Sequence, residues 1–171
     1  MIAQVWSGGQ TGVDIAALRA ARTHGIPTGG WMPRHWMTLA GPRPEYREIY
    51  GLREHPRSDY ASRTSANVEE TDATMRIALR FDSPGELCTL NAIRCWRRPH
   101  LDLPLQRLPA GCLIPLEEDP VGRAVAWIRS MSQKLGRPVV LNVAGNSERT
   151  APGIEVVAEE LLGRILERTR G

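Results

Sequence analysis

Short apolar runs typical of buried strands alternate along this chain with stretches whose apolar residues recur at helical spacing. Residues 2–6 form a short apolar run with β-branched members, which predicts a buried strand. Residues 13–23 place Val13, Ala17 and Ala20 on one helical stripe, and Gly25 follows where a helix often ends. The chain therefore opens with a strand, a glycine-rich turn and a helix.

The same alternation continues after the first helix. Strands are predicted at residues 28–31, 74–81, 112–114 and 138–143, and helices at residues 63–70, 83–96, 120–135 and 152–168. The proline- and glycine-rich residues 32–60 also contain aromatic residues, so we expect an ordered loop there. Residues 97–115 are poorly defined and hold at least one strand, around residues 112–114. This order predicts an α/β fold: a doubly wound, mostly parallel sheet with helices on both faces, formed by residues 1–171 as a single domain.

The composition is that of a globular protein and argues against several classes of partner. Hydrophobic residues make up 42% of the chain and charged residues 24%, close to the average for such proteins. Lys and Arg number 22 against 19 Asp and Glu, and this net charge of +3 is too small to predict nucleic-acid binding. Apolar runs fall short of the roughly 20 residues that a membrane span needs, and the first residues lack the basic region of a signal peptide. We therefore expect a cytoplasmic protein without a membrane partner.

The cysteines and histidines predict no metal site. Cys88, Cys95 and Cys112 are an odd number, and neither they nor the four scattered histidines have the spacing of metal ligands. Buried thiols in a reducing compartment are the preferred interpretation.

A glycine-rich turn, Ser-Gly-Gly-Gln-Thr-Gly-Val-Asp, follows the first strand at residues 7–14. Ligands of doubly wound sheets bind at the carboxyl ends of the strands. Glycines let a ligand approach the backbone, and a helix start supplies N–H groups that suit a phosphate. The turn fits equally well a tight connection in which Thr11 caps the helix. If the turn binds a ligand, we expect Gly9→Val to abolish binding and leave the fold intact.

Polar residues also follow the predicted strand at residues 74–81. Ser83, Pro84 and Glu86 fit a capping box, in which Ser83 caps the helix and the Glu86 carboxylate accepts from the Ser83 N–H. We prefer this interpretation to one in which Glu86 faces the cleft and selects the ligand. Thr89 lies one turn further on, and the spacing leaves open whether it faces a ligand or solvent.

Two more groups of residues suit a ligand pocket. Residues 142–147, with Asn142 and Gly145, leave the last strand as a pocket wall or as an ordinary loop. Arg63, Thr64 and Asn67 share one helical face, where Arg63 would pair with an anion or remain solvated. No Ser/His/Asp or Cys/His arrangement indicates a nucleophile. The residues therefore support binding of a small phosphorylated ligand rather than a reaction.

Many short stretches, taken in order, resemble a known family. They are residues 8–14, 16–18, 25–27, 29–31, 63–64, 67–68, 72–74, 141–145 and 152–154, with Pro33 and Tyr60 between them. Covering nearly the whole chain, this ordered set resembles the molybdenum carrier proteins, a bacterial branch of the LOG-like (SLOG) superfamily. The resemblance implies a Rossmann-like fold, a homo-oligomer (a dimer or a tetramer), and a site between the first glycine turn and the loop before the third helix.

The resemblance also implies a ligand, the molybdenum cofactor, which is a phosphorylated pterin that carries a dithiolene and molybdenum oxo groups. Phosphate suits a helix N-terminus, pterin edges suit Asn, Asp and Gln, and a large anion suits arginine. Molybdoenzymes or cofactor-synthesis proteins are the implied partners of a carrier that catalyses no turnover. The candidate binding residues are Gly8, Gly9, Gln10, Thr11, Gly12, Asp14, Trp31, Arg63, Thr64, Asn67, Asp72, Ser83, Gly85, Glu86, Thr89, Asn142 and Gly145.

The chain departs from this family at residues 84–89, which read Pro-Gly-Glu-Leu-Cys-Thr where relatives read Gly-Gly-Thr-x-x-Thr. Glu86 would repel a second anion at that helix start. One alternative is therefore a nucleotide-binding sensor module of the same superfamily. A less favoured alternative is a nucleoside-monophosphate phosphoribohydrolase, because the catalytic glutamate of the cytokinin-activating LOG proteins falls at Ala92 in this chain.

Overall fold

Strands and helices alternate along the chain in a computed structural model that describes residues 1–170. The strands are β1 (Ile2–Trp6), β2 (Thr28–Gly29), β3 (Trp31–Met32), β4 (Met37–Thr38), β5 (Gly41–Pro42), β6 (Arg53–Glu54), β7 (Ala73–Ala78), β8 (His100–Arg107), β9 (Leu113–Pro115) and β10 (Val139–Gly145). The helices are α1 (Val13–Thr23), α2 (Tyr46–Tyr50), α3 (Tyr60–Glu69), α4 (Pro84–Trp96), α5 (Pro120–Leu135) and α6 (Ile154–Thr169), with a 3₁₀ turn at Arg34–Trp36. None of the helices in this described part of the chain is long and apolar enough to cross a membrane.

Six strands form the central sheet in the order β2-β1-β10-β7-β8-β9. The first five are parallel, and β9 pairs antiparallel with β8 at one edge. β10 comes last in the chain but lies between β1 and β7, so the order of the strands reverses beside it. The predicted α/β fold with a mostly parallel sheet is confirmed.

Helices cover both faces of this sheet, and the side chains of β7 show how the faces divide. Met75 and Ile77 point into the larger core, which α1, α5 and α6 enclose. Arg76, between them, points the other way and contacts α4. On that face α3 packs against α4 through Val68 and Ile93.

α5 shows how the local sequence sets the bounds of a helix. The Asp119 side chain accepts from the Gly122 N–H at 2.9 Å, and Pro120 occupies the first helical position, where an N–H is not needed. Gly136 ends the helix with a φ of 65°, in the left-handed region. The predicted helix at residues 120–135 is confirmed.

One long strand was missed. β8 occupies His100–Arg107, where the sequence predicted a strand only around residues 112–114. Leu101, Leu103 and Leu105 are buried in strict alternation along β8, which is the pattern of a strand. Pro104 interrupts that pattern, because proline is uncommon inside strands.

The segment expected to be an ordered loop contains short regular elements between residues 31 and 54. β3 pairs with β6 in parallel, and β4 pairs with β5 antiparallel. Met32, Tyr50 and Leu52 of this segment pack against Ile15 and Leu18 of α1 in a second, smaller core. This core holds the segment against α1, close to the carboxyl end of β1.

The first residue and the last helix turn are in contact. The main-chain nitrogen of Met1 donates a hydrogen bond to the carbonyl oxygen of Thr169. α1 also packs along α6 over much of its length. The two ends of the described chain therefore lie side by side.

Gly145 and Asn146 fix the carboxyl end of β10 to the end of β7. A Cβ on Gly145 would lie 2.0 Å from the carbonyl oxygen of Ile77, so only glycine permits this approach. The amide oxygen of Asn146 accepts from the N–H groups of Leu79 and Arg80 at 3.0 and 2.9 Å, and its amide nitrogen donates to the Arg80 carbonyl at 3.0 Å. This buried side chain therefore holds the loop between β7 and α4 in place.

We expect Asn146→Ala to lower the free energy of unfolding by about 2–4 kcal/mol, because three backbone groups lose their hydrogen-bond partner in a buried place. Urea unfolding followed by circular dichroism measures this change. Asn91→Ala, on an exposed face of α4, is the matched control and should shift stability by less than about 0.5 kcal/mol. A loss at Asn146 no larger than that of the control would show that other contacts fix the loop.

Candidate functional site

A cleft of about 450 Å³ opens at the carboxyl ends of β1, β10 and β7. Gly8, Gly145 and Ser83, which lie at or just beyond the ends of these three strands, all line it. Arg63 of α3 and Glu86 of α4 also line it. The cleft therefore lies where the strand order reverses, which is the ligand position in doubly wound sheets.

Twelve of the seventeen candidate residues line this cleft. They are Gly8, Gln10, Asp14, Arg63, Thr64, Asn67, Ser83, Gly85, Glu86, Thr89, Asn142 and Gly145. The five that lie elsewhere are Gly9, Thr11, Gly12, Trp31 and Asp72.

Asp72 and Trp31 have structural partners away from the cleft. Asp72 precedes β7 at the amino edge of the sheet, where its carboxylate accepts two hydrogen bonds from Arg137 at 2.7 and 2.8 Å. The Trp31 ring lies 4.0 Å from the guanidinium of Arg53, and its indole N–H donates to Glu70 at 2.7 Å. Neither position supports the predicted contact with a ligand in this cleft.

Three N–H groups of the glycine turn, expected to be available to a phosphate, have acceptors within the protein. Gln10 N–H donates to the Asp14 carboxylate at 3.3 Å, Thr11 N–H to the Gln10 side chain at 2.9 Å, and Gly12 N–H to the Glu155 carboxylate at 3.2 Å. Gly12 occupies the N-cap position of α1, and no side chain caps this helix, so the predicted Thr11 cap is wrong. At Gln10 and Gly12, a carboxylate therefore already takes the N–H that a phosphate would need.

The two neighbouring glycines of the turn face different surroundings. Gly9 has a φ of 68°, and a Cβ there would lie 3.0 Å from both Leu52 Cδ1 and Met32 Sδ in the smaller core. The expectation that Gly9→Val spares the fold therefore does not hold. Gly8 faces the cleft, and a Cβ there would lie 1.5 Å from Nη1 of Arg63. The absence of a side chain at Gly8 is what lets Arg63 lie across the turn.

Arg63 reaches from α3 across Gly8 to Asp14 of α1. Its Nη1 lies 3.3 Å from Asp14 Oδ2, and the two side chains are only 12% and 6% exposed. Burial raises the pKa of Asp14 above its ordinary value, and the attraction of Arg63 offsets this only in part. The Nε of Arg63 is buried without a hydrogen-bond partner. At least this donor of the guanidinium is therefore left unsatisfied by the protein.

Three other predicted residues use polar atoms within the protein. Asn67 accepts from the Trp31 N–H at 2.8 Å and donates to the Trp31 carbonyl at 3.1 Å. Thr89 donates to a carbonyl one turn earlier in α4 at 3.1 Å, and Asn142 donates to Thr74 at 3.2 Å. These hydrogen bonds fix the shape of the cleft walls.

Glu86 does not complete the predicted capping box. The Ser83 hydroxyl accepts from the Glu86 N–H at 3.5 Å, which is one half of the motif. The Glu86 side chain instead turns inward, is only 2% exposed, and places Oε2 3.5 Å from Nη1 of Arg76. Arg76 makes its two short hydrogen bonds, of 2.8 and 2.6 Å, with Asp102. Oε2 of Glu86 has no hydrogen-bond partner, so the Glu86 part of the preferred capping interpretation is wrong, while Ser83 caps the helix as predicted.

The environment of Glu86 disfavours its charged form. Burial raises the pKa of Glu86 to about 7; Arg76 opposes this shift, and repulsion from Asp14 and Asp102 adds to it. The cleft is therefore lined by two carboxyl groups, Asp14 and Glu86, whose pKa values burial raises. Perturbed groups in a cleft are typical of functional sites.

Ten residues of the cleft were not among the candidate binding residues, although four of them lie in the stretch 142–147 that the sequence suggested as a pocket wall. Leu39 and Tyr60 lie at its mouth, 40% and 43% exposed, and Gln10 holds the Leu39 backbone over the turn by accepting its N–H at 2.8 Å. Residues 147, 149 and 150 come from the loop after β10. The position of that loop, directly after a buried parallel strand, was the signal that could have found them. The cleft residues outside the predicted set are Leu39, Tyr60, Pro84, Cys88, Val143, Ala144, Asn146, Ser147, Arg149 and Thr150.

The acidic, histidine and cysteine side chains do not gather into a metal site. Within residues 1–170, no group of three or more of them is placed to hold a metal ion. All three cysteines are free, but Cys88 is half-buried and Cys95 and Cys112 are exposed, so the preferred interpretation of buried thiols is wrong.

Comparison with known proteins gives a family and a similar structure. Residues 5–166 match the circularly permutated YpsA SLOG family. The fold is similar to the crystal structure of a protein from Syntrophus aciditrophicus SB named "putative molybdenum carrier protein", with a TM-score of 0.77 and 33% identity over 96% of this chain and 95% of that one. No curated protein matches the chain.

We expect Glu86→Gln to raise the free energy of unfolding at pH 8 by on the order of 2–3 kcal/mol. The folded pKa of about 7 lies above the ordinary value of 4.5, so the folded protein holds a proton that the unfolded chain releases between these values. The stability of the unchanged protein therefore falls as the pH rises from about 4.5 to about 7 and stays low above that range. Glutamine carries no charge and avoids this loss.

Urea unfolding at pH 4 and pH 8 measures the effect, which should vanish at the lower pH. Glu160→Gln, on an exposed position of α6, is the control for removing one negative charge. Equal stability of Glu86→Gln and the unchanged protein at pH 8 would contradict the raised pKa.

Proposed function

The chain belongs to the circularly permutated YpsA SLOG family, and from this premise we propose that its cleft binds the molybdenum cofactor, a phosphorylated pterin, as the cargo of a carrier protein. The similarity to the Syntrophus protein supports a carrier role. A carrier of this kind would receive its cargo from cofactor-synthesis proteins and deliver it to a molybdoenzyme.

The observation that carries this proposal is a pair of buried polar atoms without partners. Four such side-chain atoms occur within residues 1–170, and two of them, Arg63 Nε and Glu86 Oε2, belong to residues that line the cleft. Buried polar groups are nearly always hydrogen-bonded, so each such atom requires an explanation. One is a donor and the other an acceptor. A ligand that supplies both an acceptor and a donor explains them together.

The remaining walls suit a flat, anionic ligand. Arg63 and Arg149 provide positive charge, and an arginine fork binds phosphate well. Tyr60 and Leu39 give the mouth an aromatic and an apolar surface, which suit a planar heterocycle. The volume of about 450 Å³ is within the range of small-molecule sites.

The position of Ala92 weakens the hydrolase alternative. Ala92 packs with Val68 and Ile93 between α3 and α4, and its methyl group supplies no carboxylate to a reaction. The walls of the cleft then serve to hold a ligand and exclude water around it.

Mass spectrometry of the ligand released by acid from the purified protein tests the proposal directly. Cells that make the molybdenum cofactor should yield protein with bound pterin and molybdenum, and cells that cannot make it should yield protein without either. Recovery of a nucleotide from both kinds of cell would favour a nucleotide-sensing module instead.

We expect Arg63→Lys to lower the amount of cofactor that copurifies by about tenfold, because lysine keeps the charge beside Asp14 but loses the Nε donor and the planar fork. Pterin and molybdenum are measured per mole of protein from the same cells. Arg164→Lys, at an exposed position of α6, is the matched control and should retain the full amount. Equal occupancy of the two variants would remove Arg63 from the site.

We expect Gly8→Ala to reduce cofactor retention by about tenfold and to lower the free energy of unfolding, because the added methyl group would lie 1.5 Å from Arg63 Nη1 and 2.8 Å from Asp14 Oδ2 and would disturb this buried pair. Gly163→Ala, in α6, adds the same methyl group at a distance of 3.5 Å from its nearest neighbour and serves as the control. Retention is measured beside a melting curve. A folded Gly8→Ala protein that retains as much ligand as Gly163→Ala would contradict this prediction.

A further inference from the structure

The Glu86 carboxylate is a buried acceptor on the cleft wall that lacks a donor from the protein. Arg76 is the cation beside it, with Nη1 3.5 Å from Oε2. That guanidinium, however, donates from Nε and Nη2 to Asp102 and from Nη1 to the Glu86 carbonyl at 3.2 Å. Its geometry is set by Asp102, and Oε2 is left without a hydrogen bond.

The charged groups that face Glu86 come from three elements. Arg76 of β7 attracts the carboxylate, while Asp14 of α1 and Asp102 of β8 repel it. An anionic part of a ligand placed here would add to the repulsion and leave Oε2 without a partner. A ligand group that donates hydrogen bonds would satisfy the carboxylate and reduce the repulsion from its acidic neighbours.

We infer that Glu86 recognises a ligand edge that carries two adjacent N–H donors, the arrangement of the 2-amino-4-oxopyrimidine ring in pterins and guanine. A carboxylate accepts two parallel N–H bonds from such an edge in the same way that it accepts them from arginine. The inference rests on the proposed function for the presence of a heterocycle in this cleft. It assigns the orientation of the ring, with its amino edge at the start of α4 and its phosphate towards the arginines.

This recognition makes the residue a determinant of specificity. In a lumazine, a carbonyl oxygen replaces the 2-amino group of the pterin, so one donor becomes an acceptor that faces the carboxylate. Sites built to pair with a polar group discriminate strongly against an analogue that lacks it. The same reasoning separates GMP, which has the 2-amino group, from IMP, which does not.

Fluorescence titration and calorimetry at pH 8 test the inference with four probes: 6-hydroxymethylpterin phosphate, its lumazine counterpart, GMP and IMP. The unchanged protein should bind the pterin at least about tenfold more tightly than the lumazine. Glu86→Gln, which keeps the size of the side chain, should reduce this ratio to about threefold or less. Glu160→Gln, which removes a distant charge, should leave the ratio unchanged.

Glu86→Thr provides a second variant of different size, and a melting curve of each variant shows that it is folded. A ratio near one in the unchanged protein, or a ratio unaffected by both Glu86 variants, overturns the inference. If the isolated protein contains the pterin cofactor in that case, the proposed function stands and only the role of Glu86 fails. If GMP is preferred to IMP through Glu86 and no pterin binds, the recognition of the amino edge stands and the pterin cargo fails. Binding of none of the four probes overturns the inference as well.

Discussion

The insertion of β10 between β1 and β7 is the constraint on which the rest of this structure depends. Both of its edges are hydrogen-bonded to parallel neighbours, and its buried residues pack into the core beneath α1, α5 and α6. The close approach of Gly145 to Ile77 and the hydrogen bonds of Asn146 then determine where the loop between β7 and α4 begins. The cleft opens at the ends of these three strands, where the chain leaves β1 and β10 towards one face of the sheet and β7 towards the other.

The charged side chains of the cleft form two ion pairs whose hydrogen bonds are incomplete. Arg63 meets Asp14, and Arg76 lies beside Glu86, yet in each pair one atom stays buried without a hydrogen bond. In native proteins, destabilising features such as buried polar atoms without hydrogen bonds occur mainly at functional sites. A ligand that completes both pairs would recover part of that free energy on binding. The unsatisfied atoms of Arg63 and Glu86 therefore indicate which polar groups the ligand carries, and the cleft walls indicate its shape.

The elements that the sequence predicted best are those whose signals are local. α5 carries its capping aspartate, its first-turn proline and its terminal glycine within residues 119–136, and each is visible as a local pattern. The alternation of strands and helices likewise predicted the sheet and the edge at which ligands bind. β8 was missed because Pro104 interrupts a strand that is otherwise regular, and the short strands between residues 31 and 54 depend on contacts with α1 that no local pattern shows.

Some residues of the candidate site were predicted correctly and others were not, again because the sequence shows only local signals. Residues that follow a strand directly, such as Gly8 and Gly145, were found from their position in the chain. Asp72 also borders a strand, but it lies at the amino edge of the sheet. Only the paired register of β7 and β10 shows that its carboxylate accepts hydrogen bonds from Arg137. The inward turn of Glu86 depends on Arg76 and Asp102, which come from two other strands, whereas the four residues around it already formed a plausible cap. Leu39 and Tyr60 reach the cleft through tertiary contacts of a long segment.

The contact between Met1 and Thr169 has a consequence for the path of the chain through this sheet. Because the two lie in hydrogen-bond contact, a linker of a few residues would close the backbone into a ring. Opening that ring in the exposed connection between β9 and α5 would place β10 and α6 ahead of β1, with every strand keeping its present neighbours. A ribosome would then make the central strand before both of its partners instead of after them. Because the strands keep their neighbours, the residues of the cleft would keep their positions wherever such a closed chain is opened in a loop away from the cleft.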